Sequence, residues 1–578
     1  MDQKRLFLAI ALSVAIMFAF QALLPQSPRH KPPVTTAEHS ETAPPATAPK
    51  PPDTLGAARQ DAGNLPPANG PKLAIEAPRV SGSISLLGAR FDNLVLDDYH
   101  ETTSKTSPLV RLLEAPGDPE PSYIQFGWTA PRDVRVPDNG TLWKASADTL
   151  TQRAPVTLSW DNGAGLTFQL IASIDNNYMF KVEQRVVNHT DAAVPVHPWS
   201  RVRRDYTPQT AGYSVLHEGL VGWVEGRLHE TTYGSAKSEG EKKEGVAYQG
   251  TGKGGWAGFT DKYWLEAVIP DQAAETTTTY RYVAEGKGGY QVDTVTTQAE
   301  TVPPHGDVTD VERAFVGAKE ISLLNRYQDK EDISHLSYAI DWGWFWFLTK
   351  PIYYALDWLY AALGNFGVAI LVFTIIVKGL FFPLANYSYR SMSKMKLLGP
   401  KMTALREQYK DDQAKLQQQM MAMYKAEGVN PASGCLPMIV QIPVFFSLYK
   451  VIFINIDMRH APFFGWIHDL SAIDPTNVFN LFGLIPFDPT TISPFLHLGI
   501  WPLIMGVTMW GQQKLNPPPP DPTQAKLFQL MPVVFTFMLA RFPAGLVIYW
   551  TWNNLLTIGQ QWLIMRQTRL TRPGLART

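Results

Sequence analysis

The run FGVAILVFTIIVKGLFFPL, residues 366–384, decides the fold because it is apolar enough to cross a lipid bilayer and yet contains Lys378. A helix needs about 20 apolar residues to cross the hydrocarbon core. A cation inside such a helix costs at least about 2.5–3.5 kcal/mol and usually faces a protein interior or a water-filled cavity. Lys378 is therefore a candidate site. The alternative is a side chain that reaches back to the headgroups, since Pro383 follows closely.

The composition of the whole chain limits its class. The 578 residues include one cysteine and carry a formal net charge of −1. One cysteine excludes an internal disulfide bond, and a nearly neutral chain has no overall basic field that would attract nucleic acid. The long apolar runs after the first one, and many aromatic residues, lie beyond residue 338, which is typical of a membrane region with aromatic belts.

The N-terminus predicts a membrane anchor followed by a tether. Lys4 and Arg5 precede an apolar run that ends at Leu24. A cleaved signal peptide has the same order, but the bulky residues before Pro25 form no small-x-small cleavage site, so we expect residues 1–24 to be an uncleaved anchor. Residues 25–77 are rich in Pro, Ala and Thr, which predicts a disordered tether.

Residues 78–335 predict an aqueous β domain. Short segments alternate apolar and polar residues, and turn signals such as Asp161-Asn-Gly163 separate them. This pattern is typical of an antiparallel β-sandwich, and its length favours two fused or extended sheets. The clearest predicted strands are Val156–Trp160, Leu166–Leu170, Tyr178–Val182 and Thr277–Val283.

The remainder of the chain predicts helices in and beside a membrane. Residues 336–362 are dense in Trp and Tyr, which favours an interfacial amphipathic helix; a core helix of the β domain is the alternative. Residues 363–384 are the predicted second span, and 385–430 a helical hairpin. The third to sixth spans are predicted within 431–565, before a basic tail at 566–578, and they cover about Cys435–Ile456, Ile492–Trp510, Met531–Leu539 and Gly545–Ile564.

The charges between these runs predict their orientation. Lys4 and Arg5, the segment 385–430 and the tail 566–578 are basic, whereas the loop after the third span is acidic. Basic loops stay in the cytoplasm. We therefore expect a multi-pass protein of a bacterial inner membrane, with both termini cytoplasmic and residues 25–335 periplasmic. The predicted fold class is a polytopic α-helical membrane protein of six spans, with a five-helix core and a cytoplasmic helical hairpin, plus an all-β periplasmic sandwich domain.

The predicted hairpin carries methionines at helical spacing on both of its helices. Asp411-Asp412 separates the helices, and Asp is a good N-cap for the second one. The methionines either pack the two helices together or form a face for apolar partners. The basic side chains are candidate contacts for anionic lipids or a ribosome, and they are Lys394, Lys401, Arg406 and Lys415.

Polar residues inside the predicted spans extend the candidate site. Thr374 lies one helical turn before Lys378, and Gln441 lies in the third span. The last span carries Thr551, Asn553, Asn554, Thr557, Gln560 and Gln561. They either line one polar face with Lys378 or make separate interhelical hydrogen bonds. The spans carry no clearly buried carboxylate, which ion-coupled carriers usually have. We find no motif for nucleotide hydrolysis or metal catalysis, so we expect no enzyme, cofactor or nucleotide.

Three stretches then identify a resemblance that covers essentially the full length. YKAEGVNPASGCLPMIVQIP at 424–443, APFFGWIHDLS at 461–471 and FPAGLVIY at 542–549 resemble the YidC membrane protein insertases. The anchor, tether, β domain and hairpin also follow in the order found in the Gram-negative members of that family.

The resemblance implies a function and roles for particular residues. Such proteins insert and fold newly synthesised inner-membrane proteins without ATP, alone or beside the Sec translocon, through a hydrophilic groove with one positive charge. That charge is usually Arg; the position here is Lys378, which keeps the charge but lacks the guanidinium fork. Thr374 matches a groove threonine, and Tyr549 and Trp550 stand where the family often has paired tyrosines. Clients would slide along the third and fifth spans, which carry Phe445 and Pro532.

Two other functions remain open from the residues alone. A solute transporter or channel would use the polar face as its path. A membrane-anchored envelope scaffold would instead use the β domain as its working part and the spans only as an anchor.

Overall fold

The computed structural model describes residues 70–570 except 211–215, 285, 287, 411, 430–435, 494–495 and 517–521. The predicted anchor, most of the predicted tether and most of the basic tail lie outside the described residues. The described chain divides into two compact units. The β unit comprises residues up to 101 and 108–341, and the helical unit comprises 102–107 and the residues from 342 onward.

The β unit has strands of alternating burial, as the sequence pattern predicts. Its described strands are β1 (Lys72–Glu76), β2 (Val80–Ser85), β3 (Arg90–His100), β4 (Leu109–Leu113), β5 (Ser122–Thr129), β6 (Lys144–Ala145), β7 (Thr149–Thr151), β8 (Val156–Asp161), β9 (Leu166–Ile174), β10 (Met179–Asn188), β11 (Val194–Arg204), β12 (Gly219–Val224), β13 (Arg227–Thr232), β14 (Val246–Lys253), β15 (Trp256–Thr260), β16 (Trp264–Ile269), β17 (Glu275–Val283), β18 (Gly289–Thr296), β19 (Glu300–Val302) and β20 (Asp307–Ala318).

These strands form two sheets, as predicted. The 11-stranded sheet has the order β14-β17-β18-β11-β5-β3-β2-β1-β7, with β19 beside β11 and β4 beside β3. The nine-stranded sheet has the order β13-β12-β15-β16-β20-β10-β9-β8-β6. The four clearest predicted strands correspond to β8, β9, β10 and β17. The prediction of an all-β domain was too simple, because α1 (Tyr233–Lys242) and α2 (Ile321–Lys330) lie among the strands.

Aromatic side chains from both sheets pack in the core of the β unit. The Trp128 ring on β5 lies 5.1 Å from the Phe168 ring on β9, and Phe91 on β3 lies 5.3 Å from Phe180 on β10. The unit also begins earlier than predicted. Strand β1 lies inside the segment assigned to the tether, since Leu73 and Ile75 are each 1% exposed. Their alternation is too short to stand out in a polar segment.

The helical unit has nine described α-helices. They are α3 (Trp346–Leu363), α4 (Phe366–Leu380), α5 (Phe382–Leu397), α6 (Gly399–Gln408), α7 (Gln413–Ala426), α8 (Leu436–Ile454), α9 (Ile500–Leu515), α10 (Pro522–Leu539) and α11 (Ala544–Leu570).

The predicted second span, 363–384, is not one continuous element. Helix α3 ends at Gly364, whose φ of 69° is the left-handed conformation that glycine tolerates. Asn365 then caps α4 by accepting a hydrogen bond from the Val368 amide. Helix α4 ends beside Phe381, and Pro383 stands in the first turn of α5, where a missing N–H costs nothing. Lys378 therefore lies in the last turn of α4.

Helix length and hydropathy test the predicted spans only in part. Among the described helices none alone has both the length and the hydropathy of a span, but α4 and α5 meet the test together across a 68° bend. Shorter apolar helices cover Val440–Ile454 and Ala525–Leu539. The predicted fourth span from Ile492 to Trp510 is wrong in its first part, because α9 begins only at Ile500. The count of six spans stays a prediction.

The two flanking elements also differ from their predicted bounds. The interfacial segment 336–362 divides into a 3-10 turn at Leu336–Ala339 in the β unit and α3 in the helical unit. Trp358 on α3 is 68% exposed, which suits an interfacial helix. The hairpin segment 385–430 contains three helices, α5 to α7, rather than two. As predicted for an Asp, Asp412 caps α7, since its carboxylate accepts from the Lys415 amide.

Candidate functional site

Helices α4 and α11 place Lys378 against a polar stripe of the last helix. The Lys378 Nζ atom donates to the Thr557 hydroxyl over 2.8 Å. Two turns earlier on α4, the Leu371 carbonyl accepts from the Trp552 indole over 3.2 Å. Residues seven apart lie on one helix face, so these two contacts fix the pairing of the helices. The Thr557 hydroxyl donates in turn to the Asn553 carbonyl over 2.7 Å.

A small cavity opens beside this ammonium group. Its volume open to water is about 40 Å³, and one water needs roughly 10–15 Å³, so a few waters fit. The cavity is lined by three other polar side chains and by apolar ones, namely Tyr389, Gln441 and Gln560, with Val377, Phe381, Leu384, Ala385, Val440 and Val444. The site is thus a mixed cleft with one cation.

The electrostatics of the cleft are dominated by Lys378. Within the part of the chain that the structure describes, no carboxylate forms an ion pair with this ammonium group, and Thr557 is its neutral partner. An ammonium has three N–H donors, so two remain for water or a bound group. The Gln560 amide nitrogen at the cleft is also buried without a protein partner, as is the amide oxygen of Asn553, which is not among the residues that line the cavity. Such atoms need water, which makes the cleft suited to hydrated, anionic groups.

Helix α8 closes another side of the site through polar and aromatic contacts with α11. The Gln441 amide nitrogen donates to the Tyr549 hydroxyl over 2.6 Å. The Phe445 ring packs edge-on against Trp550, with centroids 4.6 Å apart, and Phe535 on α10 lies 6.1 Å from the same indole. The structure therefore brings together residues from three of the predicted spans.

Other predicted residues do not line the cavity. The Thr374 hydroxyl is buried and donates to the Ile370 carbonyl of its own helix. Asn554 donates to Thr508 on α9 over 3.2 Å, which is one of the separate interhelical bonds that the sequence left open. Pro532 is buried in α10, and its carbonyl accepts from Thr536.

The hairpin helices use their methionines mainly to pack together. Leu398, Met402, Tyr424 and Val429 form a buried cluster, with Met395, Met420 and Met423 packed against it. Of the predicted basic contacts, Lys401 pairs with Glu427 over 2.8 Å, and Lys415 lies 3.9 Å from Asp412. Lys394 and Arg406 are half-buried. The first of the two alternatives, internal packing, therefore holds for most of these methionines.

Sequence reasoning placed Thr557 and Gln560 in the polar run of the last span, and the structure brings both residues to the site. It missed one residue that lines the cavity, Tyr389. Tyr389 lies beyond Pro383, in the segment 385–430 that the sequence assigned to the hairpin. Only the bend between α4 and α5 brings it to the cleft.

Comparisons with known proteins agree over the whole chain. Residues 358–571 match the family described as 60Kd inner membrane protein, and residues 72–355 match the YidC periplasmic domain. A membrane protein insertase YidC of Granulibacter bethesdensis is 60% identical over 582 residues, which cover 100% of both chains. The same protein of Acidiphilium cryptum is 57% identical over 86% of this chain and 85% of its own.

A solved structure is also similar. It is described as an active YidC insertase with its first transmembrane domain resolved, and it is 17% identical over 86% of this chain and 93% of its own, with a TM-score of 0.35.

Proposed function

The chain belongs to the family of YidC membrane protein insertases, and we propose that it inserts its clients through the cleft around Lys378. It is a non-enzymatic insertase of the inner membrane, with a periplasmic domain of two β-sheets and a helical insertase core. Its clients are therefore membrane proteins. The observation that carries the proposed mechanism is a membrane cation whose partner is a neutral hydroxyl.

The proposed mechanism begins with attraction between unlike charges. Acidic residues in the short translocated tail of a client approach the ammonium group of Lys378. Two unit charges 4 Å apart attract by about 4 kcal/mol at an effective dielectric constant of 20. Water in the cleft lets the tail enter part of the membrane without losing all of its hydration.

The apolar part of the client supplies the driving force. Its helix slides along α8 and α10, where Phe445 and Pro532 lie, and partitions into lipid. Trp550 packs between the two helices that carry Phe445 and Phe535. We propose that this aromatic group keeps the apolar path continuous while Gln441 and Tyr549 hold α8 on α11. Thr374 then serves packing of α4 rather than contact with the client.

The proposed topology and partners follow from charge. Both termini and the helices α5 to α7 face the cytoplasm, the protein crosses the membrane six times, and residues 25–335 are periplasmic. The exposed basic side chains of the hairpin and the basic tail contact anionic lipids and a ribosome, and the protein works alone or beside the Sec translocon. No cofactor or nucleotide takes part.

The test of the cleft is insertion into proteoliposomes with Lys378→Ala and Lys378→Arg. A single-span client with an acidic tail should insert at least about tenfold less well with Lys378→Ala, because losing about 1.4 kcal/mol, a third of the attraction given above, already produces that factor. Lys378→Arg keeps the charge and should retain insertion. A client with a neutral tail is the control and should be unaffected. Equal insertion of the acidic client by both variants would remove the charge from the mechanism.

A further inference from the structure

The connection between α8 and α9 presents an unusual amount of apolar surface. In the segment 478–492, here the apolar loop, every residue from 481 to 488 is exposed. Leu484 is 83% exposed and Ile492 is 72% exposed. The other exposed large apolar side chains are Phe479, Leu481, Phe482, Ile485 and Phe487. Soluble surfaces rarely expose such a contiguous patch without a partner.

Internal hydrogen bonds hold this loop in a defined shape. The Asn477 carbonyl accepts from the Phe482 amide over 2.9 Å, and the Asn480 carbonyl accepts from the Ile485 amide over 3.1 Å. The Asn480 side chain accepts from the Gly483 amide over 2.9 Å. Much of the backbone polarity at the tip is therefore satisfied within the loop. These bonds lower the cost of placing the backbone at the boundary between headgroups and acyl chains, where the remaining polar groups still meet water.

Two bulky residues of the loop adopt the left-handed conformation. Leu481 has a φ of 51° and Phe482 a φ of 60°. This conformation is uncommon for residues with large side chains. It is retained although both side chains are 53% exposed, so burial within the described chain does not account for it. The turn instead directs apolar side chains outward.

The loop also lies on the periplasmic side of the helical unit. The residues that match the YidC periplasmic domain end at 355, shortly before α4 begins. The Asn365 side chain at the start of α4 donates to the Pro462 carbonyl over 3.1 Å. Pro462 belongs to the same connection between α8 and α9. That connection is therefore at the periplasmic end of α4.

We propose that the apolar loop inserts into the outer leaflet of the inner membrane. The loop joins two helices of a membrane insertase, so lipid is the apolar medium next to it. Asp488 is the one charged residue of the loop, and its carboxylate accepts from the Thr490 amide and hydroxyl. Burial of the many apolar side chains can hold such a segment in the interface. Consecutive exposed residues also favour lipid, which surrounds a segment, over a protein partner, which covers one face.

The test places a fluorescent probe on the loop of the full-length protein in liposomes. The background is Cys435→Ser, and single cysteines are Leu484→Cys and Ile492→Cys, each labelled with an environment-sensitive nitrobenzoxadiazole dye. Liposomes contain phosphatidylethanolamine and phosphatidylglycerol. Quenchers are spin-labelled acyl chains in the lipid and iodide on both sides of the bilayer. The control is Arg153→Cys, in an exposed turn of the β unit.

The expected result is several-fold stronger quenching by the spin-labelled lipid at Leu484→Cys and Ile492→Cys than at Arg153→Cys, with the reverse order for iodide. Quenching by iodide at both loop positions as strong as at the control would overturn the proposal, because the loop would then lie in water. Protection from both quenchers would also overturn it, since a second copy or another protein would then cover the loop. Both loop positions are strongly exposed, so neither substitution removes a core side chain.

Discussion

Thr557 is the single described side chain that the structure places in hydrogen-bond contact with the ammonium group of Lys378. Its hydroxyl both accepts from Lys378 and donates to the Asn553 carbonyl. A hydroxyl can do both at once, so Thr557 fixes the direction of the lysine side chain without neutralising its charge. A carboxylate at this position would hold the lysine more firmly but would cancel the attraction for acidic clients.

Replacing Thr557 tests whether the direction of the charge matters. Thr557→Val removes the acceptor at nearly constant volume, and one such hydrogen bond contributes about 0.5–1.5 kcal/mol. We expect insertion of an acidic-tail client to fall several-fold, less than with Lys378→Ala, and insertion of a neutral-tail client to stay unchanged. Client insertion into proteoliposomes measures both.

The same helix offers a matched control. Thr551 is also buried, and its hydroxyl also donates to a carbonyl one turn earlier, that of Val547, over 2.9 Å. Thr551→Val should leave insertion of both clients as in the parent protein. If Thr551→Val lowers insertion as much as Thr557→Val does, then helix packing rather than the lysine contact explains the loss.

Helix α8 is joined to α11 by the hydrogen bond between Gln441 and Tyr549. Tyr549 is 3% exposed, so a lost partner would leave a polar atom with little access to water. An unsatisfied buried group costs about 1–3 kcal/mol. The contact thus ties the third and sixth predicted spans together at the level of the cleft.

A double-mutant cycle measures this link between helices. Tyr549→Phe should lower the temperature of half-denaturation of the detergent-solubilised protein by a few degrees. Gln441→Leu alone should also lower this temperature, but Gln441→Leu with Tyr549→Phe should be no less stable than Tyr549→Phe alone, because the unpaired amide is then absent. Thermal unfolding followed by size-exclusion chromatography gives the values. Additive losses in the double variant would contradict a direct bond.

The β unit contains acidic side chains whose pKa values are raised by burial. Burial and Asp271 raise the pKa of Asp310 to about 6, and burial and Asp310 raise the pKa of Glu300 to about 7. Burial and Asp310 also raise the pKa of Glu312, although a hydrogen bond with Ser200 on β11 of the other sheet acts in the opposite direction. A carboxyl group whose pKa is higher in the folded than in the unfolded state stabilises the fold while it is protonated. The stabilisation is therefore complete below about pH 4, and it is lost as the pH rises through 6 to 7.

An amide at position 310 should remove part of this pH dependence. Asp310→Asn should stabilise the β unit at pH 8.5, by about 1–3 kcal/mol for an uncharged group in place of a buried charge, and change little at pH 4. The free energy of unfolding of the β unit is measured by urea unfolding of the full-length protein, followed through the protease-resistant peptides of that unit. Asp307→Asn on the same strand is the control, because Asp307 pairs with Arg185 at the surface. A larger stabilisation by Asp310→Asn at pH 4 than at pH 8.5 would contradict a raised pKa of Asp310.

At the scale of the molecule, the cleft belongs entirely to one unit. Every residue that lines it lies between 377 and 560, within the helical unit. The β unit has its own core of paired aromatic rings. Such a division separates the insertase function from the scaffold alternative, which assigns the work to the β domain.

Removing most of the β unit tests that division. Replacing residues 78–335 by a flexible linker should retain insertion of a single-span client within about threefold, since a cost below 1 kcal/mol is expected where no lining residue is lost. The measurement is client insertion in cells depleted of the parent protein. Loss of insertion, with the helical unit still present in the membrane at normal amount, would support the scaffold.

Local patterns in the sequence determined several features of this protein. The alternation of residues predicted the four clearest strands, the length of the domain predicted two sheets, and the apolar run around Lys378 predicted a cation within an apolar helix. The Asp cap of α7 also follows from spacing alone, whereas spacing placed the methionines on one face and left open whether they pack together. These features depend on residues within a few turns of each other, so periodicity is enough to predict them.

The tertiary structure alone decided which distant groups meet. Lys378 and Thr557 are 179 residues apart, and Gln441 and Tyr549 are 108 apart. Their contact depends on the rotation and register of packed helices, which a helical period does not specify. The bend that brings Tyr389 to the cleft, and the exposure of the apolar loop, are likewise set by where neighbouring segments pack and where they leave space.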